Sequence, residues 1–313
     1  MLTKSGKNIS KVGIGTWGIG GLGHRDMELT KVQGDDKYIK ALSYTLKKGI
    51  NFTEISLGYG HGNAMRLFKT ALGKSGMARE DVFITNSLYP RDLPSFDDIK
   101  KDVEGFYDVM DTDYADSTLV THTLVLKFGE KVVYSYLHRL LDDGRTRYVS
   151  LSNASPNFIK KFKQEFGNKF FAHEGHVSFE VRVVEDKGVF ETCNKLGITN
   201  IIWRPLRQNR TSTFKWPLLI KLANKYNKTQ NQIILNWIVR KGYYPMVMSV
   251  DKRHIDENLS ATNFVMSDDD YQQINNFRPP NYNPPAVDWE KNGKGESIVT
   301  VTNDFEKHIN NYE

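Results

Sequence analysis

Three arginines lie within a stretch of seven residues, and their charge could neutralise an anionic ligand. Arg204, Arg207 and Arg210 directly follow a short apolar run that ends at Trp203. Guanidinium groups bind phosphate oxygens through paired hydrogen bonds, so a diphosphate is a natural partner for such a cluster. The alternative is a solvated loop whose arginines only face water. The spacing alone leaves both interpretations open.

The histidines and the single cysteine predict neither a metal site nor a nucleophile. His173 and His176 flank Glu174 in a segment that fits a strand or a loop, and none of the eight histidines has the spacing typical of a zinc site. Cys193 lies in an amphipathic helical pattern that ends at a turn at Gly197. A buried thiol is therefore expected there.

Composition indicates a globular protein without disulfides. The 313 residues are 39% hydrophobic and 26% charged, and a chain of this length can bury a large core. One cysteine excludes an intrachain disulfide and favours the reducing cytoplasm. The first ten residues contain no apolar run, and no stretch of about 18 apolar residues occurs, so we expect neither a signal peptide nor a membrane span.

The formal net charge of +6 favours anionic partners such as phosphates, but it does not indicate nucleic acid. Lysines alternate with phenylalanines between Phe158 and Phe170, as they do in some nucleic-acid-binding segments. Phe158, Phe162 and Phe166 recur every four residues, however, which is the buried stripe of a helix whose lysines face water. No nucleic-acid partner is predicted.

Strand-like and helix-like segments alternate along the chain. Gly49 and Gly144 end two predicted helices, Ser155 and Pro156 begin another, and Ser267 begins the last. This alternation predicts parallel strands joined by right-handed crossovers. The predicted strands are Lys11–Gly15, Ile50–Ile55, Val82–Thr85, Ala115–Val120, Tyr148–Leu151, Ile198–Trp203 and Pro245–Val250.

Two architectures have this alternation, an open doubly wound sheet and a closed (β/α)8 barrel. The glycine-rich segment Gly18–Gly23 is not followed at once by a periodic helix, which disfavours a dinucleotide-binding βαβ unit. Four of the ten prolines lie between Pro279 and Pro285 and indicate an irregular C-terminal tail, residues 277–313, instead of a second domain. We expect one domain over residues 1–313.

Seven segments in the same order resemble the aldo-keto reductase family from about Val12 to Asn275. The family fold is a (β/α)8 barrel whose active site lies at the C-terminal ends of the strands, and the resemblance implies that fold here. The segments are Val12–Gly18, Gly49–Ile55 with Tyr59 and Gly60, Arg79–Thr85, Thr112–Asp116, Ser152–Asn153, Ile202–Leu206 and Glu257–Asn258.

The resemblance implies carbonyl reduction by NADPH with a tyrosine as proton donor. The phenol has an unperturbed pKa of about 10, which a nearby lysine lowers in the family while an aspartate holds that lysine. A histidine helps to orient the carbonyl oxygen. Tyr59 matches the tyrosine, and Glu54 places a carboxylate at the aspartate position.

The lysine and the histidine of the family are not matched. The lysine position falls on Ser87, or on Asn86 if the alignment slips by one, and the histidine position falls on Thr121. His122 is one residue late and would point away from the barrel interior unless a bulge turns it back, so it is a candidate for the catalytic histidine with a structural role as the alternative. Losing such an electrostatic stabiliser costs about 3 to 4 kcal/mol. The candidate substitutes for the lost cation are His24, Arg25 and His61.

The residues implied to hold the nicotinamide are better matched. Ser152 and Asn153 match the pair that binds the carboxamide, His176 replaces the third partner, and Trp203 replaces a tyrosine that stacks on the ring. The other implied cofactor contacts are Gly15, Thr16, Trp17, Arg204, Leu206, Arg210, Ser249, Arg253, His254, Glu257 and Asn258.

The 2′-phosphate pocket is only partly matched. Met248 replaces its lysine and His254 its arginine, while Lys252 and Arg253 lie close enough to restore charge. A helix predicted to begin near Asp251 would also favour a phosphate at its N-terminus. NADP is therefore the expected cofactor, with NAD as the alternative.

These features predict a cytoplasmic NAD(P)H-dependent oxidoreductase that reduces a small aldehyde, ketone or sugar carbonyl, with Tyr59 as the proton donor. Trp17, Tyr282 and Trp289 are expected to line the substrate pocket. The altered catalytic positions leave two alternatives open: a cofactor-binding sensor with little turnover, and a barrel that performs acid–base chemistry without a cofactor.

Overall fold

Eight parallel strands close into a barrel in chain order, as the (β/α)8 prediction requires. The computed structural model describes residues 1–23, 28–30, 33–89 and 93–279. Most of the predicted tail, from residue 280 onward, thus lies outside the described residues. The strands are β1 (Gly13–Gly15), β2 (Phe52–Ile55), β3 (Phe83–Leu88), β4 (Ala115–Thr121), β5 (Thr146–Ser152), β6 (Phe170–His176), β7 (Thr199–Trp203) and β8 (Tyr244–Val247).

Helices surround the barrel and begin largely where the sequence places their caps. Ser155 accepts a hydrogen bond from the Phe158 amide and Ser267 one from the Asp270 amide, which confirms both predicted N-caps. The helices are α1 (Asp35–Lys47), α2 (Asn63–Ser75), α3 (Phe96–Met110), α4 (His122–Phe128), α5 (Glu130–Asp142), α6 (Pro156–Phe166), α7 (Val183–Asp186), α8 (Val189–Lys195), α9 (Arg210–Thr213), α10 (Pro217–Tyr226), α11 (Gln230–Arg240), α12 (Lys252–Ser260) and α13 (Asp268–Asn276). Within the described residues, no helix has the length and apolar character needed to cross a bilayer.

One strand is missing from the predicted set. The segment β6, which contains His173, Glu174 and His176, is fully buried although these three side chains are polar. Strand β3 likewise continues past the predicted end at Thr85 to Leu88, through two buried polar residues. Strands that are buried on both faces are usually apolar. A strand whose buried side chains are polar is therefore hard to recognise from its sequence pattern.

The strand register decides which polar side chains enter the barrel. Phe52 of β2 is paired with Phe83 of β3, and both belong to the apolar cluster that fills one end of the lumen. Side chains alternate along a strand, so Glu54 and Ser87 share that inward direction. Asn86 lies on the opposite face, towards the helices. The position that resembles the family lysine is therefore Ser87.

Close packing of the lumen generates a prediction at Gly13 of β1. A Cβ at Gly13 would lie 2.5 Å from Met246 Sδ and 2.9 Å from Phe52 Cδ1, whereas a Cβ at Gly73 in α2 meets nothing within 4 Å. We expect Gly13→Ala to lower the free energy of unfolding by about 1 to 3 kcal/mol because of overpacking. The same change at Gly73 should raise it by about 0.5 to 1 kcal/mol. Urea denaturation of both variants measures this, and equal effects would contradict it.

Candidate active site

A hydrogen-bonded pair of phenols lies just after β2 and β3, next to a carboxylate carried by β2 itself. The Tyr59 hydroxyl lies 3.0 Å from Glu54 Oε1 and 2.8 Å from the Tyr89 hydroxyl. The Tyr89 hydroxyl is 3.4 Å from the same carboxylate oxygen. The two rings are tilted by 31° with centroids 5.7 Å apart. The structure thus brings together Tyr59 and Glu54 as predicted and adds a second phenol.

The backbone around Tyr59 explains the glycine that follows it. Tyr59 begins a short 3₁₀ turn, and Gly60 has φ 56°. A Cβ at Gly60 would lie 2.8 Å from the carbonyl oxygen of Ile19, which crosses at this point. Glu54 is held from the neighbouring strand, because the Thr16 hydroxyl donates a 2.9 Å hydrogen bond to the Glu54 carbonyl. The predicted cofactor contact Thr16 is therefore fully buried and positions Glu54.

Tyr89 is the site residue that sequence analysis missed. It lies two residues after Ser87, the position of the lost lysine, and its hydroxyl reaches both partners that such a lysine would contact, Tyr59 and Glu54. A phenol carries no charge at neutral pH, so it replaces the contacts of a lysine without its electrostatic effect. The period-two alternation of a strand, continued from Ser87, is the sequence feature that could have identified it.

Burial keeps both phenols neutral. Burial raises the pKa of Tyr59 well above its usual value, and the negative charge of Glu54 raises it further. The pKa of Tyr89 is also raised well above the usual value, first by burial and then by the charge of Glu54. Both shifts are opposite to the lowering that a neighbouring lysine would cause. Tyr59 can donate a hydrogen bond or a proton, but its phenolate is costly to form.

A second carboxyl group, that of Glu174 on β6, lies on the lumen side of the barrel wall, as Glu54 does. Its side chain is buried, and Glu174 Oε2 has no hydrogen-bond partner in the described part of the chain. Burial, and then the charge of Glu54, raise the pKa of Glu174 well above its usual range. In the sequence, Glu174 stands out only as the residue flanked by His173 and His176. Across the described residues, no group of three or more His, Cys, Asp or Glu is arranged to hold a metal ion.

His122 and Thr121 are engaged elsewhere. Thr121 ends β4 and accepts a 3.0 Å hydrogen bond from the Leu124 amide as the N-cap of α4. The buried His122 ring stacks on Phe158 of α6 at 4.0 Å between centroids. Burial, with Lys161 nearby, lowers the pKa of His122 to about 4, so the ring is neutral. These contacts give His122 a packing role in α4 and α6, and the catalytic role predicted for it gains no support from them.

The predicted nicotinamide residues converge at the ends of β5, β6 and β7. The Ser152 hydroxyl and the backbone amide of Asn153 both donate hydrogen bonds to the backbone carbonyl of Glu174, at 3.3 and 3.1 Å. His176 is fully buried and stacks on Trp203, with centroids 4.5 Å apart. Three buried polar atoms, Asn153 Oδ1 and both ring nitrogens of His176, have no hydrogen-bond partner among the residues the structure describes.

The arginine cluster after β7 is divided between the interior and the surface. Arg207 is fully buried and lies 3.5 Å from the equally buried Glu180. Glu180 also accepts hydrogen bonds from Thr211 and from the Trp216 indole at 2.8 and 3.0 Å. Arg210 is exposed at the start of α9. Arg207 is therefore neither a diphosphate ligand nor a solvated side chain, the two interpretations that the sequence left open. It forms a buried structural ion pair instead.

This loop has an unusual backbone. Arg204, Arg207, Gln208 and Asn209 all have positive φ, between 49° and 72°. Residues other than glycine rarely adopt this backbone conformation. Each such residue costs of order 1 kcal/mol of folding free energy unless surrounding contacts stabilise it. Arg207, whose buried guanidinium pairs with Glu180, is one of these four residues. Leu206, a predicted cofactor contact, packs partly buried against the core.

The residues predicted to bind the adenosine phosphate lie on the surface at the start of α12. Asp251 caps this helix by accepting a 2.8 Å hydrogen bond from the Arg253 amide, and Ser249 accepts one from the Asp251 amide at 3.1 Å. Arg253 and His254 are exposed and touch each other at 3.2 Å. A pocket of about 430 Å³ is lined by Arg253, His254 and Glu257 together with residues after β7 and the start of α11.

The remaining predicted residues are less informative. Gly15 lies at the end of β1, Trp17 is 40% exposed beyond it, and Asn258 is buried in α12. His61 is exposed, with φ 54°, immediately after the Tyr59–Gly60 pair. The proposed cations His24 and Arg25 and the proposed pocket residues Tyr282 and Trp289 lie outside the described residues.

Sequence comparison identifies the family. The match to the aldo/keto reductase family covers residues 11–279, so the chain belongs to the aldo/keto reductase family. Glycerol 2-dehydrogenase (NADP(+)) of Saccharomyces cerevisiae is 23% identical over 87% of this chain and 88% of its own length. Glyoxal reductase of Bacillus subtilis is 24% identical over 78% of this chain and 84% of its own length.

Structural comparison supports the same fold. An aldo-keto reductase from Klebsiella pneumoniae, solved in complex with NADPH, superposes with a TM-score of 0.74 at 19% identity. The match covers 91% of this chain and 97% of that one. At this level of identity the likeness establishes the barrel and its topology.

The buried pair of Glu180 and Arg207 generates a prediction about stability. Removing one charge from a buried ion pair typically costs about 3 to 5 kcal/mol, since the other charge stays in a medium of low dielectric constant. We expect Glu180→Gln to lower the free energy of unfolding by about that amount in urea titrations. The matched control is Glu191→Gln, which breaks an exposed pair with Lys195 and should leave the unfolding midpoint unchanged. Equal midpoints for the two variants would show that the buried pair contributes nothing.

Proposed function

We propose that this protein is an NADP(H)-dependent oxidoreductase that reduces the carbonyl group of a small aldehyde, ketone or sugar, with Tyr59 as proton donor. The observation that carries the proposal is the Tyr59 hydroxyl, hydrogen-bonded to Glu54 and Tyr89 at the C-terminal ends of the strands. Barrel enzymes place their active sites at this end. The names of the relatives, glycerol 2-dehydrogenase (NADP(+)) and glyoxal reductase, support the same class of reaction.

The unpaired polar atoms fit a nicotinamide carboxamide. A primary carboxamide offers two N–H donors and one carbonyl acceptor, while Asn153 Oδ1 accepts and a neutral His176 ring has one donor and one acceptor nitrogen. Burial, together with the charges of Arg204 and Arg207, lowers the pKa of His176 well below its usual value, so the ring is neutral. Trp203, whose ring stacks on His176, is the aromatic side chain that we propose contacts the nicotinamide ring.

The surface at the start of α12 fits the phosphate end of NADP. Arg253 and His254 are exposed beside the pocket, and Lys252 begins the helix whose N-terminus points there. A phosphomonoester binds cationic side chains and helix N-termini, which compensates for Met248 at the usual lysine position. We therefore propose NADP as the preferred cofactor, with NAD as the weaker alternative. A single buried cysteine fits a cytoplasmic location.

The chain's own residues perform the proton transfer. A bound NADPH would supply the hydride to the carbonyl carbon, and Tyr59 gives its hydroxyl proton to the carbonyl oxygen. Tyr89, with its hydroxyl 2.8 Å away, then donates a hydrogen bond to the oxygen that Tyr59 leaves behind. This hydrogen bond stabilises the developing phenolate less than a lysine ammonium would. The raised pKa of Tyr59 therefore predicts slow turnover.

The same feature favours one alternative function. A buried, neutral Tyr59 without a matching lysine is the arrangement expected of a cofactor-binding sensor that has little turnover. Such a protein would keep the nicotinamide site described above and lose only the proton donor.

Removal of each phenol hydroxyl tests the proposal. We expect Tyr59→Phe to lower kcat by about 100-fold or more, the range attributed to general acid catalysis, and to leave the Kd of NADPH unchanged. Tyr89→Phe should lower kcat by about tenfold, because one hydrogen bond to the developing charge is lost. The control is Tyr134→Phe, since the Tyr134 hydroxyl on α5 has no hydrogen-bond partner in the described residues. Kinetics on small carbonyls and tryptophan fluorescence titrations measure the two quantities.

The outcomes separate the candidate functions. Micromolar NADPH binding with turnover that depends on Tyr59 supports the reductase. Tight NADPH binding without oxidation across a broad panel of carbonyls supports the sensor. Failure to bind either nicotinamide nucleotide contradicts the proposal and leaves the barrel to chemistry without a cofactor.

A further inference from the structure

Glu174 lies between the phenol group around Tyr59 and the proposed carboxamide ligands Ser152 and Asn153. Its carbonyl oxygen accepts hydrogen bonds from the Ser152 hydroxyl and the Asn153 amide, so it orients the proposed carboxamide ligands. Its side chain is buried, and its carboxyl lies close enough to Glu54 and to both phenols for their charges to interact. Nothing in the proposed proton transfer so far uses this carboxyl group.

The register of β6 places Glu174 beside the proposed nicotinamide position. Glu174 and His176 are two residues apart on one strand and therefore point to the same face, about 7 Å apart along it. His176 and Asn153 are the proposed carboxamide ligands, so Glu174 lies on the same strand face as one of them and is hydrogen-bonded through its backbone carbonyl to the backbone amide of the other. Glu174 Oε2 has no partner in the described structure that would fix its protonation state.

A carboxyl group at this place responds to the charge of the ring. The nicotinamide ring is neutral in NADPH and positively charged in NADP⁺. In a protein interior, a nearby positive charge stabilises an ionised carboxylate and lowers its pKa by about one unit or more. A buried neutral carboxyl therefore has a reason to lose its proton when the ring becomes charged.

We propose that Glu174 is a redox-linked proton carrier, neutral beside the reduced nicotinamide and ionised beside the oxidised one. This inference rests on the proposed function of the same site. Reduction of a carbonyl consumes one hydride and one proton, and Glu174 supplies that proton as the ring acquires its charge. The hydroxyl proton of Tyr59 moves to the carbonyl oxygen, and the proton that Glu174 releases replaces it on the Tyr59 oxygen. Solvent protonates Glu174 again after the oxidised cofactor leaves.

The surroundings of Glu174 fit this role. Glu54 faces it from β2 and its negative charge favours the protonated form of Glu174. Tyr59 and Tyr89 face it from the ends of β2 and β3 and are neutral. On its own strand, His176 is also neutral. The described groups that act on Glu174 thus favour a bound proton until a positive charge arrives.

The test measures binding, so it does not depend on turnover. The Kd values of NADPH and NADP⁺ are measured by tryptophan fluorescence across the acidic to weakly alkaline range of pH. Both nucleotides carry the same adenosine phosphate, so contributions from that end of the cofactor cancel in the ratio of the two Kd values. We expect NADP⁺ binding to tighten relative to NADPH by about tenfold as the pH rises through the pKa of Glu174, because only the ionised carboxylate attracts the charged ring.

Variants at Glu174 assign this pH dependence. Glu174→Gln keeps the shape and removes the titration, so the ratio of the two Kd values should become independent of pH. Glu174→Asp keeps a carboxyl group and should retain the dependence, while the exposed Glu191→Gln should behave as the unmodified protein does. A pH-independent ratio in the unmodified protein, or the same dependence in Glu174→Gln, would overturn the proposal.

A second measurement needs no variant. In weakly buffered solution with a pH indicator dye, NADP⁺ binding should release protons from the unmodified protein below the pKa of Glu174, and NADPH binding should release fewer. Equal proton release by both nucleotides would overturn the role of Glu174 while leaving the cofactor site intact. Failure of both nucleotides to bind would instead overturn the proposed function.

Discussion

The hydrogen bond from the Tyr59 hydroxyl to Glu54 Oε1 is the contact around which the candidate site is arranged. The Glu54 carboxylate lies inside a barrel of low dielectric constant, where an ionised group needs close polar partners. The Thr16 hydroxyl fixes the backbone of Glu54, and two phenols share its carboxylate oxygen. Burial, and then the charge of Glu54, raise the pKa of Tyr59, Tyr89 and Glu174.

Replacement of the family lysine by Ser87 changes the electrostatic character of this site. A lysine there would stabilise a phenolate and a carboxylate together, whereas Tyr89 supplies a hydrogen bond without charge. The site compensates by keeping its other groups neutral: His176 by burial and nearby arginines, and Glu174 by burial and the charge of Glu54. In this lumen, charge is balanced by the binding and release of protons on groups such as Glu174, instead of by a fixed cation.

The cofactor half of the site depends on a different constraint. The loop after β7 follows a backbone path with four positive φ values and contains the buried ion pair of Arg207 with Glu180. Of the three arginines that the sequence offered for a diphosphate, Arg207 is thus part of the scaffold. Arg253 and His254, which we propose as ligands of the NADP phosphate, lie on the surface instead.

The sequence by itself determined the alternation of strands and helices, the caps at Ser155 and Ser267, and the placement of Tyr59 and Glu54 in one site, because each depends on local periodicity or on a short motif. It left β6 open as a strand or a loop, and it did not reveal Tyr89 or the buried ion pair of Arg207. Those depend on which side chains point into a closed barrel, and closure joins strands that are far apart in the chain. Burial decides whether a glutamate is neutral or an arginine is structural, and only the tertiary structure sets burial.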